Sequence, residues 1–223
     1  MVKERPILFN GAMVRAILEG RKTVTRRALP AGLDPDRLGE TMSKAQWQKV
    51  NRERPVAFGA SYFCPFGQPG DGLWVREAWS IDMIAAHSTD KGYDSEYELR
   101  YRADDTDRVI HVAPGEPDPY IALYDSQRGD WRPSIHMPRW ASRILLEITD
   151  VRVERLQAIT YEQAAAEGIH RDHRMWFATD DGGPAFQCPE QAFAQLWRQT
   201  GGDWNANPWV WVVEFKRVEA GDV

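Results

Sequence analysis

Apolar and polar positions along the chain mark out a small set of elements. Pro6 to Phe9 is a short apolar run and predicts a buried strand. Asn10 follows as an N-cap, Met13, Val14, Ile17 and Leu18 share one helical face, and Gly20 sits where a helix ends, so a helix is expected over 11–19. Arg21 to Arg27 is β-branched and strand-like. Leu73 to Trp79 reads as a strand after the Gly70-Asp71-Gly72 turn, and Tyr97 to Arg102 as another. Residues 84–96 and 104–130 are rich in Asp, Gly and Pro and read as long loops. The clearest strand region is Arg143 to Leu156. Thr160-Tyr161-Glu162-Gln163 is a capping box, and Gly168 closes that short helix. His170 to Pro184 reads as a polar loop. Pro189 then opens a helix with Phe193, Leu196 and Trp197 on one face, ended by Gly201-Gly202. Pro208 to Phe215 is a buried strand. Between Pro30 and Pro55 lies a polar excursion, with a short helix expected near Ser43 to Asn51. Strands outnumber helices without alternating with them, which predicts an α+β fold with a mixed, barrel-like sheet.

Length and composition narrow the partners. The chain has 223 residues, enough for one sizeable domain and cramped for two. Hydrophobic residues at 43% and charged residues at 27% exclude wholesale disorder. No apolar run approaches the ~18 residues of a membrane helix, and no secretory pattern opens the sequence. A cytoplasmic protein is therefore expected, with Cys64 and Cys188 as reduced thiols. The net charge of -5 disfavours wrapping a long nucleic-acid backbone and leaves room for a small basic pocket. Ten Trp supply walls for flat ligands as well as core.

The densest polar cluster is Arg21 to Arg27, with four cations and two hydroxyls just beyond a helix end. In a regular strand Lys22 and Thr25 point to opposite faces; in a turn or bulge they converge. A Lys near a Thr permits nucleophilic catalysis once the amine is neutral, and burial beside other cations lowers a lysine pKa from its reference of about 10.4 in the required direction. The plainer reading is a solvated basic edge strand. Among the carboxylates, Glu77 pairs readily with Arg76, while Glu167 sits at the unfavourable end of a helix dipole, which asks for another reason to be there. His170 and His173 lack a third ligand nearby for a metal.

Four segments carry a family resemblance. Gly20-Arg21-Lys22-Thr23-Val24-Thr25-Arg26-Arg27, Gly70-Asp71-Gly72-Leu73-Trp74-Val75-Arg76-Glu77, Ile159 to Gly168 and Trp209 to Phe215 resemble the ASCH domain, a relative of the PUA-like folds. Pro133 to Trp140 is similar to the larger variety common in phages and prophages. The resemblance implies a single ASCH-like domain over 1–223: a small mixed β-barrel with flanking helices, a cleft, and long insertions near 30–60, 80–130 and 170–188. Family members have been assigned to RNA binding, RNA cleavage and hydrolysis of the N4-acyl amide of acetylated cytidine. The small amidohydrolases of the family use a Lys, a Thr three residues later and a Glu in the helix after the central strand, which correspond to Lys22, Thr25 and Glu167. The resemblance further implies that Arg21, Arg27, Trp74, Arg76 and Glu77 contact substrate, and that neither cofactor nor metal takes part. The partner it implies is a small nucleoside, with an RNA-binding module or a ribonuclease as the alternatives; it leaves the oligomeric state open.

Overall fold

The structure is a computed structural model and describes residues 3–30 and 63–218. The helix expected near Ser43 to Asn51 lies outside them. The element order is β1 (Glu4–Leu8), α1 (Gly11–Leu18), β2 (Val24–Ala28), β3 (Gly72–Arg76), β4 (Trp79–Thr89), β5 (Gly92–Tyr101), β6 (Thr106–Val112), α2 (Ile121–Ser126), β7 (Leu145–Arg155), α3 (Tyr161–Ala166), β8 (His170–Asp172), β9 (Met175–Phe177), α4 (Pro189–Gln199) and β10 (Trp209–Arg217). The fold is α+β and dominated by strands. The expected barrel is not formed. One sheet is five-stranded in the order β1–β3–β7–β10–β2, and the other two are the open sets β4–β5–β6 and β8–β9.

The described chain divides into two compact units. One holds residues 3–5, 16–30, 63–73 and 144–218, and the other holds 6–15 and 74–143. β7 and β10 belong to the first, and α1 is divided between them at Arg15 and Ala16.

In the first unit β10 lies between β7 and β2, antiparallel to both, with Val213 opposite Thr25 on one side and Val151 on the other. A strand with two neighbours and both faces covered needs a continuous apolar run. Val210, Trp211, Val212, Val213 and Phe215 supply it, all buried. Helix α3 starts on the predicted capping box: Thr160 accepts from the Gln163 amide, and the Gln163 side chain accepts from the Thr160 amide. Helix α4 begins with Pro189 in its first turn and turns Ala192, Phe193 and Leu196 inward. The segment expected as a polar loop from His170 forms the β8–β9 hairpin, closed over the positive-φ residue His173.

The second unit departs most from expectation. Residues 84–96 and 104–112, expected as loop, belong to an antiparallel sheet in which β5 pairs with β4 and β6. Along β5, Ser95, Tyr97, Leu99 and Tyr101 are buried while Glu96, Glu98 and Arg100 lie between them. This is the period-two signature of a half-buried strand. The inward residues pack with Trp79, Ile81, Val112, Met137 and Ala141 as this unit's core.

Candidate functional site

Helix α1 ends on Gly20, whose φ of 74° lets the chain fold back over the last turn. The amides of Arg21 and Lys22 both donate to the Ala16 carbonyl, at 2.8 and 2.9 Å. That reversal directs Lys22 inward before β2 begins at Val24. Arg21 braces the turn from outside, through Glu19 at 2.6 Å and the Gly168 carbonyl at 2.9 Å.

Helix α3 arrives from the other side. Its C-cap is Glu167, and Gly168 follows at φ 86°. The Thr23 amide donates to Ala166, and Lys22 forms a β-bridge with Glu167. The approach is close enough that a Cβ on Gly168 would lie 2.7 Å from the Lys22 Cβ and 2.8 Å from the Ala16 Cβ. Gly168 is therefore required twice, by conformation and by space.

The Lys22 side chain is wholly buried and Glu167 is 3% exposed. Nζ donates to the Glu167 carboxylate at 2.8 Å, to the Glu167 carbonyl at 2.8 Å and to the Val24 carbonyl at 2.9 Å. One ammonium thus caps the helix end and neutralises the carboxylate that the helix dipole disfavours there. Arg26 reaches the other Glu167 oxygen at 3.2 Å, and also holds Glu154 at 3.2 Å and the Gln163 side chain at 2.8 Å. Arg152 in turn binds Glu154, Asp150 and Glu214.

Burial pushes the Lys22 amine below the usual lysine range; the charge and hydrogen bond of Glu167 oppose this, and Arg27 and Arg26 reinforce it. Burial likewise lowers Arg27, against the pull of Glu167. Thr25 is buried, one residue beyond the carbonyl that Lys22 holds. Strand alternation puts Thr25 and Arg27 on the face of β2 opposite Arg26. Lys22 and Glu167 are thus in direct contact, and Arg27 lies within electrostatic reach of them.

Trp74, Arg76 and Glu77 belong to the second unit. The Arg76 guanidinium stacks 4.7 Å over the Trp74 ring and donates to the Ile135 carbonyl. Glu77, 1% exposed, is held by two 2.9 Å bonds from Arg143, not by the neighbouring Arg76.

Sequence reasoning gave Arg26 a part only as a neighbouring cation that lowers the Lys22 pKa, and gave no site role to Gln163 or Glu154; the three complete the cluster. Gln163 was visible only as a capping residue, and Glu154 only as an alternating strand charge. Among the described residues no group of three His, Cys, Asp or Glu is arranged to hold a metal. None of their helices is long and apolar enough to cross a membrane.

The arrangement is a buried amine and carboxylate in contact, with the Arg26 guanidinium on the carboxylate and Arg27 in electrostatic reach; Thr25 is buried on the adjoining strand. Chemically it offers a proton acceptor and donor with an excess of positive charge for a developing oxyanion. No family model matches the chain, and no curated protein or solved structure matches it.

Proposed function

We propose that the protein is an amidohydrolase that removes the N4-acyl group from acylated cytosine nucleosides. The observation that carries this reading is the buried Lys22–Glu167 pair, in which burial favours the neutral amine. A lysine made more readily neutral is suited to take a proton, whereas an arginine in its place is not. In the proposed reaction Thr25 Oγ1 attacks the acyl carbonyl carbon and its proton passes to the neutral Lys22 Nζ. The carbon–N4 bond then breaks, and the proton moves from Lys22 to the departing amine of cytosine. Water, deprotonated by the same amine, releases the acyl group from Thr25 as a carboxylic acid. Glu167 holds Lys22 in place through both its carboxylate and its carbonyl. Arg27 supplies positive charge for the tetrahedral oxyanion. The ASCH resemblance of the Lys22-to-Thr25 and Glu167 segments supports the same reading.

The test is to incubate purified protein with N4-acetylcytidine and follow conversion to cytidine in the ultraviolet. Parent protein is expected to turn over. Lys22→Arg is expected to lose a factor of about 100 to 10,000 in kcat, and Thr25→Ala a comparable factor. No turnover by the parent overturns the function, and near-normal turnover by Lys22→Arg overturns the mechanism.

A further inference from the structure

The β4–β5–β6 sheet ends differently on its two sides. At β4 the chain closes the edge itself: Trp79 exchanges backbone hydrogen bonds with Arg132 at 3.3 and 2.7 Å, and the Ile81 amide donates to the Gln127 side chain at 3.1 Å. At β6 it does not. Among the described residues the backbone of 107–112 pairs with β5 alone, and Thr106 to Val109 and His111 are exposed. An open strand edge is a template for a further strand.

The side chains of β6 select that strand. Asp107, Val109 and His111 share its solvent face, opposite Arg100, Glu98 and Glu96 of β5, while Arg108 and Ile110 take the other face. Val109 is 55% exposed. The Arg100 guanidinium is engaged by Asp105 at 3.0 Å, not by Asp107. His111 Nε2 lies 2.6 Å from Asp94. Laid antiparallel on a second β6 about a two-fold axis at Val109, Asp107 falls opposite His111 on both sides of the axis. Moving the axis to Arg108 sets that cation against its own copy, and moving it to Ile110 carries Asp107 past the end of the strand. An axis between two residues sets solvent-facing positions against inward ones. Only one register of this strand with itself therefore joins opposite charges.

We propose that β6 is the interface of a symmetric dimer, in which two copies of this chain join their three-stranded sheets into one of six strands. Across the junction the outer rows of the solvent face read Arg100, Asp107, His111, Glu96, alternating in sign, and the central row sets the two exposed Val109 side chains side by side. His111 donates from one ring nitrogen to Asp94 and from the other to Asp107 of the second copy, so the contact takes the protonated ring. The groups facing that ring are Asp94 and Glu96 from β5, His87 from β4 across from Asp94, and Asp107 of the second copy. Its carboxylates outnumber its imidazole, which favours the charged form in the dimer. This interface is independent of the Lys22–Glu167 chemistry.

Sedimentation equilibrium of the full chain tests the assignment. The contact is small, so a dimer with a dissociation constant on the order of 10 μM is expected at about pH 6, weakening at least about tenfold by about pH 8 as the imidazole loses its proton. Asp107→Lys sets an ammonium against His111 of the second copy and is expected to weaken the dimer at least about tenfold, with a circular dichroism spectrum matching the parent. In a Cys188→Ser background, Val109→Cys faces its own copy and is expected to form an intermolecular disulfide under mild oxidation. Asp107→Cys is expected not to, because its copy lies four residues away along the strand, beyond the ~7 Å that a disulfide spans between Cα atoms. A monomer at about 200 μM, well above that constant, a dimer equally tight at both pH values or in Asp107→Lys, or equal cross-linking of the two cysteine variants overturns the proposal.

Discussion

Each unit of this protein buries one glutamate against a cation, and the two pairs are built to opposite ends. In the second unit Glu77 takes two 2.9 Å bonds from Arg143, whose guanidinium also grips both oxygens of Asp104 at 2.9 Å and stacks 4.1 Å over Tyr101. Burial works against the Arg143 charge, but the bonds to Glu77 and Asp104 prevail and push its pKa far above the usual arginine value. In the first unit the cation is an amine, and burial prevails over Glu167, so its pKa moves down. A planar guanidinium with two carboxylates holds its charge at any accessible pH. A buried amine with one carboxylate and two cationic neighbours can give its charge up. The lesson is that a buried ion pair becomes chemically useful when its cation can lose a proton.

The largest expected effect comes from crowding the first pair. Gly168→Ala forces a side chain into the left-handed region and onto Lys22 and Ala16, and is expected to cost about 2–5 kcal/mol, read as a lowered denaturant midpoint. Gly201→Ala shares the positive φ but meets nothing within 4 Å, so it should cost only the backbone part. Equal losses at the two glycines would remove close packing from the account.

Next in size is the second pair. Glu77→Gln keeps the shape and loses the charge that faces Arg143. It is expected to destabilise by about 1.5–3 kcal/mol, the worth of a hydrogen bond to a charged group. An unchanged melting temperature would show that Asp104 alone suffices to hold Arg143.

The titration of Lys22 sharpens the contrast. Because its folded pKa is lowered, the unfolded chain binds more protons between that value and about 10.4. Stability should therefore rise with pH through this window, and Lys22→Met should remove the rise. Parent and variant curves with the same slope would mean that burial does not prevail over Glu167.

The smallest effect separates support from capping. Thr160→Ala and Gln163→Ala each break the capping box, at about 1 kcal/mol. Only Gln163 also holds Arg26. Gln163→Ala should thus shift the Lys22 titration, followed by NMR of its side chain, and Thr160→Ala should not.

How much of this was legible depended on whether the cause was local. The ends of α1 and α3 are written in Asn10, Gly20, Thr160, Gln163 and Gly168, whose chemistry acts within a few residues. The β10 strand is an uninterrupted apolar run. Of the β4–β5–β6 sheet Tyr97 to Arg102 was anticipated and the rest was missed, because residues 84–96 and 104–112 are rich in Asp and Gly and bury few side chains. β6 compounds this, as Val112 is its only buried residue. Of the candidate site, Lys22 and Thr25 stood out in the basic cluster and Glu167 at an unfavourable helix end, but their joining into one site rested on resemblance to a family. Nothing in the spacing brings residue 22 to residue 167; the helix reversal at Gly20 and the gap left by Gly168 do so. Arg26 lay in plain view in the basic run, but its partners Glu154 and Gln163 come from distant segments.

Among the described residues, strand β2, which carries Thr25 and Arg26, borders only β10 within its sheet. Residues 24–28 therefore find their sheet neighbour only when residues 209–217 exist. During synthesis the basic segment is made long before the β10 segment that pairs with it. Such long-range pairing is slow to form. Until it does, Lys22 lacks the surroundings that desolvate it and behaves as an ordinary charged lysine. The chemistry proposed for this site therefore depends on the pairing of β2 with β10, and a chain that stops before β10 carries the residues without the surroundings the proposal needs.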